Sequence, residues 1–317
     1  MKQLPSYLVR RLQTLGRQQS ASPTAVDDRP PSLKINFSWT ILGNLVYGVS
    51  QILLFGLISK LGTPEILGQY TLGIAIVTPT MMFANLQLRT LQATDAGERY
   101  RFRDYFELRC LTVVVSLVFL AVLALYGPFG TAKGGIIFLI GLAKAIEAIS
   151  DLFYGALQQR ECLERIAKSM VYRSLLSLLT FALLFYGSQS LPIACLGLVG
   201  SALFVLFCYD VRSPFQFFRD YQLERVDGAI ERLKGAIKLW LRPSWTILAE
   251  LFKVALPVGV VIMLLSLCSN IPRYFIEHYM GSRDLGIFAA LSYVPVAGVI
   301  VISACGQSAL PRLARYY

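Results

Sequence analysis

Histidine is almost missing from this chain: His278 is the only one in 317 residues. It forms no metal-ligand spacing with the cysteines, and one histidine with no large outer loop leaves little for an enzyme to work with. Charge is scarce as well, 15% of residues against roughly a quarter in a soluble domain. The six cysteines (Cys110, Cys162, Cys195, Cys208, Cys268 and Cys305) form no CxxC pair and lie mostly within or at the ends of apolar stretches, so they read as core-packing residues. No glycine-rich phosphate loop is present, and no early apolar core is followed by a small-residue cleavage site, which sets aside a nucleotide-binding enzyme and a signal peptide. No catalytic residue, metal ligand or cofactor is expected, and the chain does not read as an enzyme.

Apolar residues fill the space left by charge: 55% of the chain is hydrophobic and its mean hydropathy is +0.57. Runs of about 20 apolar residues, enough to span a bilayer, recur throughout. The candidate spans are 37–59, 70–91, 110–127, 135–155, 170–187, 191–211, 249–270 and 286–306. The fold class is therefore all-α and polytopic, with about eight transmembrane helices. The net charge of +11 does not point to nucleic acid, because Arg and Lys crowd alternate loops. The tail holds Lys2, Arg10, Arg11, Arg17, Arg29 and Lys34. The second-to-third loop holds Arg89, Arg99, Arg101, Arg103 and Arg109, and the fourth-to-fifth holds Arg160, Arg165, Lys168 and Arg173. The sixth-to-seventh holds Arg212, Arg219, Arg225, Arg232, Lys234, Lys238 and Arg242. By the positive-inside rule the N-terminus is cytoplasmic.

Residues 1–34 form a basic cytoplasmic tail. Leu4, Leu8, Leu12 and Leu15 share a helical face, which suits an anionic membrane surface, and Ser20 to Pro31 reads as a disordered linker. In the long loop 212–248, Val226, Ile230, Leu233, Ile237 and Leu241 make an apolar stripe, with Trp240 and Trp245 at headgroup level. It reads either as an interfacial helix or as a partner-binding cytoplasmic helix.

Two stretches share a layout. Gly62-Thr63-Pro64-Glu65-Ile66-Leu67-Gly68-Gln69-Tyr70 matches Gly281-Ser282-Arg283-Asp284-Leu285-Gly286-Ile287-Phe288, with one residue of slack. Each has a proline further along, Pro79 and Pro295. Setting Gly62 on Gly281 places Gln51 on Asn270 and Tyr47 on Ser266. Thr40, Asn44, Tyr47 and Gln51 share one helical face, and so do Ser266, Asn270, Arg273 and Glu277. The reading is an internal duplication whose two polar stripes face one cavity. The alternative is chance recurrence of a Gly-acid-Leu-Gly turn.

Three further groups carry candidate chemistry. Lys144, Glu147 and Asp151 share a face of the fourth span, where ionised groups are costly unless turned to the bundle interior or a wet cavity. They make either a polar wall for a charged substrate or coupling cation, or a self-compensating pair with Asp151 near the surface. Arg273 and Arg89, at the ends of their spans, are either anion contacts or snorkelling arginines. Pro79, Pro257 and Pro295 interrupt spans 2, 7 and 8 and allow kinks.

The chain resembles bacterial polysaccharide (O-antigen type) flippases of the multidrug/oligosaccharidyl-lipid/polysaccharide exporter superfamily. The resemblance lies in Leu61 to Tyr70, Leu91-Gln92-Ala93-Thr94-Asp95, Phe102 to Arg109, Tyr154 to Arg160, Ile271 to Glu277 and Gly306 to Leu313. It implies two six-helix lobes around a basic cavity. It also implies carriage of an undecaprenyl-diphosphate-linked oligosaccharide to the outer leaflet of the plasma membrane. The expected domains are the tail 1–34, a six-helix lobe 35–211, a linker 212–248 and the first two helices of a second lobe, 249–317. The expectation is thus a C-terminally truncated transporter. The candidate substrate residues are Asn44, Tyr47, Gln51, Arg89, Lys144, Glu147, Asp151, Asn270 and Arg273. Expected partners are the lipid-linked oligosaccharide, anionic lipids, and a polysaccharide polymerase and glycosyltransferases of the same pathway. The alternatives are a cation-coupled small-molecule exporter of the same fold and a membrane glycosyltransferase or polymerase.

Overall fold

The computed structural model describes residues 33–95, 99–159, 162–211 and 245–292. The basic tail helix, the apolar stripe of the 212–248 loop, Pro295 and the end of the eighth span lie outside the described residues. Among the described residues there is no strand. The helices are α1 (Leu33–Leu61), α2 (Pro64–Asn85), α3 (Leu88–Thr94), α4 (Phe102–Tyr126), α5 (Gly130–Gln159), α6 (Leu163–Ser188) and α7 (Leu191–Val205). A π-helical turn, Leu206–Asp210, continues α7; then come α8 (Trp245–Tyr279) and α9, which covers 282–292.

Local chemistry sets the helix starts. Thr63 caps α2 by accepting from the Ile66 amide at 3.4 Å, with Pro64 in the first turn, where its missing N–H costs nothing. At α4 the Asp104 carboxylate accepts from the Arg101 amide at 3.0 Å and satisfies an otherwise orphaned donor.

Among the described residues, six helical stretches are long and apolar enough to cross a membrane: Ser38–Leu61, Pro64–Thr94, Phe102–Tyr126, Leu163–Ser188, Leu191–Asp210 and Trp245–Tyr279. The charged α5 is not among them, and its position explains why its charges are tolerated. It packs against α2, α3, α4, α6 and α7, at the centre of the bundle. Ile136, Ile137 and Ile140 of α5 join Leu72 and Val77 of α2 and Phe181 and Phe185 of α6 in the main core. The outside is apolar: Val114, Val115, Val118, Phe119 and Val122 of α4 are all exposed, as a lipid-facing surface requires. The protein is an all-α, multi-pass membrane protein.

Several expectations need correction. The second span is interrupted at Leu86 and Gln87, which both adopt left-handed backbone (φ 44° and 51°), while α2 continues through Pro79. Similarly, α8 runs through Pro257 and Pro272. Arg109 and Arg173, counted above as loop charges, lie inside α4 and α6 and are buried. Both helices begin well before their apolar runs do. Of the described cysteines only Cys195 is buried; Cys208 and Cys268 are exposed on apolar helices.

The two matching turns meet each other. A Cβ on Gly68 would overlap the Ser282 carbonyl, and one on Gly286 would overlap the Pro64 carbonyl. Residue 68 therefore touches the position four before 286, and 286 touches the position four before 68, as across a two-fold axis. Leu67 and Leu285 are both buried beside this seam, and Glu65 lies 3.8 Å from Arg283. The same offset relates the ends of α1 and α8, Leu61 and Tyr279. It places Gln51 on Ser269, one residue from the position expected from the glycine match.

Candidate functional site

α5 carries a ladder of polar groups toward its C-terminal half. The Lys144 ammonium donates to Glu147 Oε2 at 2.7 Å and to the Tyr47 hydroxyl of α1 at 3.3 Å. A turn further on, Asp151 accepts from Arg89 Nη1 at 2.9 Å, and its other oxygen lies 3.8 Å from Arg109 Nη2. Asp151, 31% exposed, is thus hydrogen-bonded by the guanidinium of Arg89 from α3 and lies near that of Arg109 from α4, next to the self-compensating Lys144–Glu147 pair. Arg89 also donates through Nε to Gln158 Oε1 at 3.1 Å and sits 5.5 Å over the Tyr154 ring. Arg109 donates to Asn85 Oδ1, the last residue of α2.

A second cluster joins α6 to α7. Arg173 lies 5.8 Å over the same Tyr154 ring and donates to Asp210 Oδ2 at 2.7 Å. Ser169 donates to Asp210 Oδ1 and shares a 2.7 Å hydrogen bond with the Tyr154 hydroxyl. Asp210 closes the π-helical turn, whose wider spacing is marked by the Val211 amide donating to the Leu206 carbonyl at 2.8 Å. Four cations, Arg89, Arg109, Lys144 and Arg173, thus stand among three carboxylates, Glu147, Asp151 and Asp210. In a bilayer each charge requires such a partner, and Tyr154 adds an aromatic face to two of the guanidiniums.

Beside this network a cavity of about 130 Å³ opens between α1, α3, α5 and α6. Thr40, Asn44, Arg89 and Gln158 give it a polar side, and Leu163, Ile166 and Met170 an apolar one. Gly43 keeps α1 close to α6 at this level, since a Cβ there would lie 3.0 Å from Ala167 Cα.

The sequence-derived residues distribute as follows. Asn44 and Arg89 line the cavity. Tyr47, Lys144 and Glu147 form one cluster, Arg89 and Asp151 another, and Gln51 is half-buried on α1. Asn270 is buried and accepts from Arg273 Nη1 at 2.7 Å, a local pair on α8. That helix packs along α2, whereas α1 packs on α6, so the two expected stripes sit on helices with different principal neighbours. Reading the sequence missed Arg109, Arg173, Ser169 and Asp210. The signal available was Asp210 itself, an acid ending an apolar run.

No family model matches the chain. The capsular polysaccharide biosynthesis protein CapF of Staphylococcus aureus is 27% identical over 282 residues, covering 89% of this chain and 66% of CapF. The chain spans just under two thirds of that relative's length. Among solved structures, the MATE multidrug transporter DinF-BH superposes with a TM-score of 0.61 at 13% identity, covering 92% of this chain and 67% of that one. A chain described as protein A gives 0.63 at 14% identity, with 92% and 68% coverage. The helices therefore follow the fold of a multidrug transporter, in line with the fold expected from the resemblance.

Proposed function

We propose that this protein moves an undecaprenyl-diphosphate-linked oligosaccharide from the cytoplasmic to the outer leaflet of a bacterial plasma membrane, for surface polysaccharide synthesis. The observation that carries the reading is the Arg89 cavity. Arg89 is held by Asp151 and Gln158 while about a third of its side chain, 32%, stays exposed. A guanidinium fixed in this way is pre-set to fork onto phosphate oxygens. Asn44, Thr40 and Gln158 offer hydrogen bonds to sugar or phosphate, and the Leu163–Met170 wall accepts isoprenoid carbon. The likeness to CapF supports a polysaccharide substrate. The arginine-rich end of the bundle, around Arg99 to Arg103, is assigned to the cytoplasm, so the cavity opens where such a lipid is made. Polymerase and glycosyltransferases of that pathway are the proposed partners, with anionic lipids against the basic tail.

The test is purified protein in proteoliposomes loaded with a lipid-diphosphate oligosaccharide. The wild type speeds appearance of the headgroup in the opposite leaflet, and Arg89→Gln slows it at least tenfold. Equal rates with and without protein would overturn the proposal. The fold of DinF-BH favours a second reading, a small-molecule exporter. Uptake of a cationic dye into the same vesicles, in place of lipid movement, would establish that reading instead.

A further inference from the structure

The break between α2 and α3 is unusual in its residues. Leu86 and Gln87 are consecutive, neither is glycine, and both hold positive φ. Left-handed backbone is disfavoured for residues bearing a Cβ, and a pair persists only where the surroundings over-determine it. Those surroundings are on three helices. On the α2 side, Thr112 of α4 donates to the Ala84 carbonyl at 2.8 Å and Arg109 donates to Asn85. On the α3 side, Arg89 is tied to Asp151 and Gln158 of α5. The apex, Leu86, is fully buried among Leu251 and Ala255 of α8, together with Tyr105 and Leu108. At that point α8 carries Gly259: a Cβ there would lie 2.6 Å from Leu86 Cδ2 and 3.3 Å from Leu86 Cα.

We propose that this kink is a positioning element that makes the Arg89 cavity answer to α8. The proposal rests on reading that cavity as the anion site. With α8 seated, Leu86 is covered, the kink is held, and α3 leaves α2 in the direction that brings Arg89 to Asp151 and Gln158. When α8 moves away, Leu86 loses its cover and the two strained residues relax toward right-handed helix. α3 then rotates about its axis and Arg89 leaves the cavity wall. Glycines at 86 and 87 would adopt the bend without strain, whatever covered them; Leu and Gln make it conditional on α8. Anion grip and α8 position are thus linked in both directions: an anion on Arg89 favours the seated α8, as linkage requires.

The experiment uses the full chain in nanodiscs, with spin labels at Thr94 of α3 and Leu175 of α6, both exposed, in a background without native cysteines. Gly259→Leu, which wedges against Leu86, shifts the label distance by several ångströms. Adding Gln87→Gly, which removes strain at the bend without touching the α8 contact, restores the wild-type distance. An unshifted distance in folded G259L overturns the proposal, and so does a shift that Q87G leaves in place. If G259L does not fold, Gly259→Ala makes the same test with a smaller wedge. A second measurement separates the two readings: inorganic diphosphate protecting an Asn44→Cys thiol from alkylation. Protection in wild-type background that falls at least fivefold with G259L and returns with Q87G supports both. No protection in any variant, alongside the expected distances, refutes the anion site and supports the coupling.

Discussion

Replacing Arg173 with methionine keeps most of its carbon volume and removes its charge, which strands Asp210. The side chains of this pair are 8% and 1% exposed, so the orphaned carboxylate has no water to turn to. Ser169 remains as one donor, but a single hydroxyl does not offset a buried charge. Breaking a buried pair from one side costs about 3–5 kcal/mol, whereas replacing both partners with apolar groups is often close to neutral. R173M is therefore expected to lose about 3 kcal/mol or more, and R173M/D210L to regain most of it. The exposed pair Arg99–Glu250, at 68% and 51%, is the control: R99M should cost no more than about 1 kcal/mol. The assay is unfolding in mixed detergent micelles with rising SDS fraction, followed by circular dichroism. An R173M cost no larger than that of R99M, or a double variant as unstable as the single, would refute a buried Arg173–Asp210 pair of this kind.

Four other outcomes are expected. Gly68→Leu has no room against the Ser282 carbonyl, so bridging of a Glu65→Cys/Arg283→Cys pair by a short bifunctional thiol reagent should be at least tenfold slower in this variant than in the parent. Lys144→Met, which strands Glu147, should destabilise by about 1–3 kcal/mol in the same SDS titration, and Lys144→Met/Glu147→Gln should recover at least half of that loss. Arg89→Lys keeps the charge but loses the fork that reaches Asp151 and Gln158 together, and should lower transport severalfold at unchanged protein level in reconstituted vesicles. Cysteines placed at Ser20 and Ala229 should resist a membrane-impermeant thiol reagent in intact cells and react after lysis; reaction in intact cells would reverse the assigned orientation.

What could be read from the residues depended on how local the physics was. Span length is a one-dimensional property, so α1, α6 and α7 are recognisable in their apolar runs. The Lys144–Glu147–Asp151 face was visible because i, i+3 and i+4 spacing is local too. Partners were not: Asp151 meets Arg89 and Arg109, and Arg173 meets Asp210, across tens of residues that no periodicity links. Arginine at the edge of an apolar run also ends a hydropathy window, so Arg109 and Arg173 were assigned to loops although their helices continue around them. The Leu86–Gln87 bend had no signal at all. Proline and glycine are the residues that announce a break, and here Pro79 lies within unbroken helix while Leu and Gln make the turn because α4, α5 and α8 hold it.

The seam at Gly68 and Gly286 brings unlike charges together. Close to a two-fold axis a position meets its own counterpart, so two copies of the first turn would set Glu65 against another Glu65, and two copies of the second Arg283 against another Arg283. The 3.8 Å approach of Glu65 to Arg283 is available only to two unlike copies. The two matching turns thus carry opposite signs where they approach each other. Two first turns brought together would instead meet with like charge, which disfavours pairing between two copies of the chain along this edge.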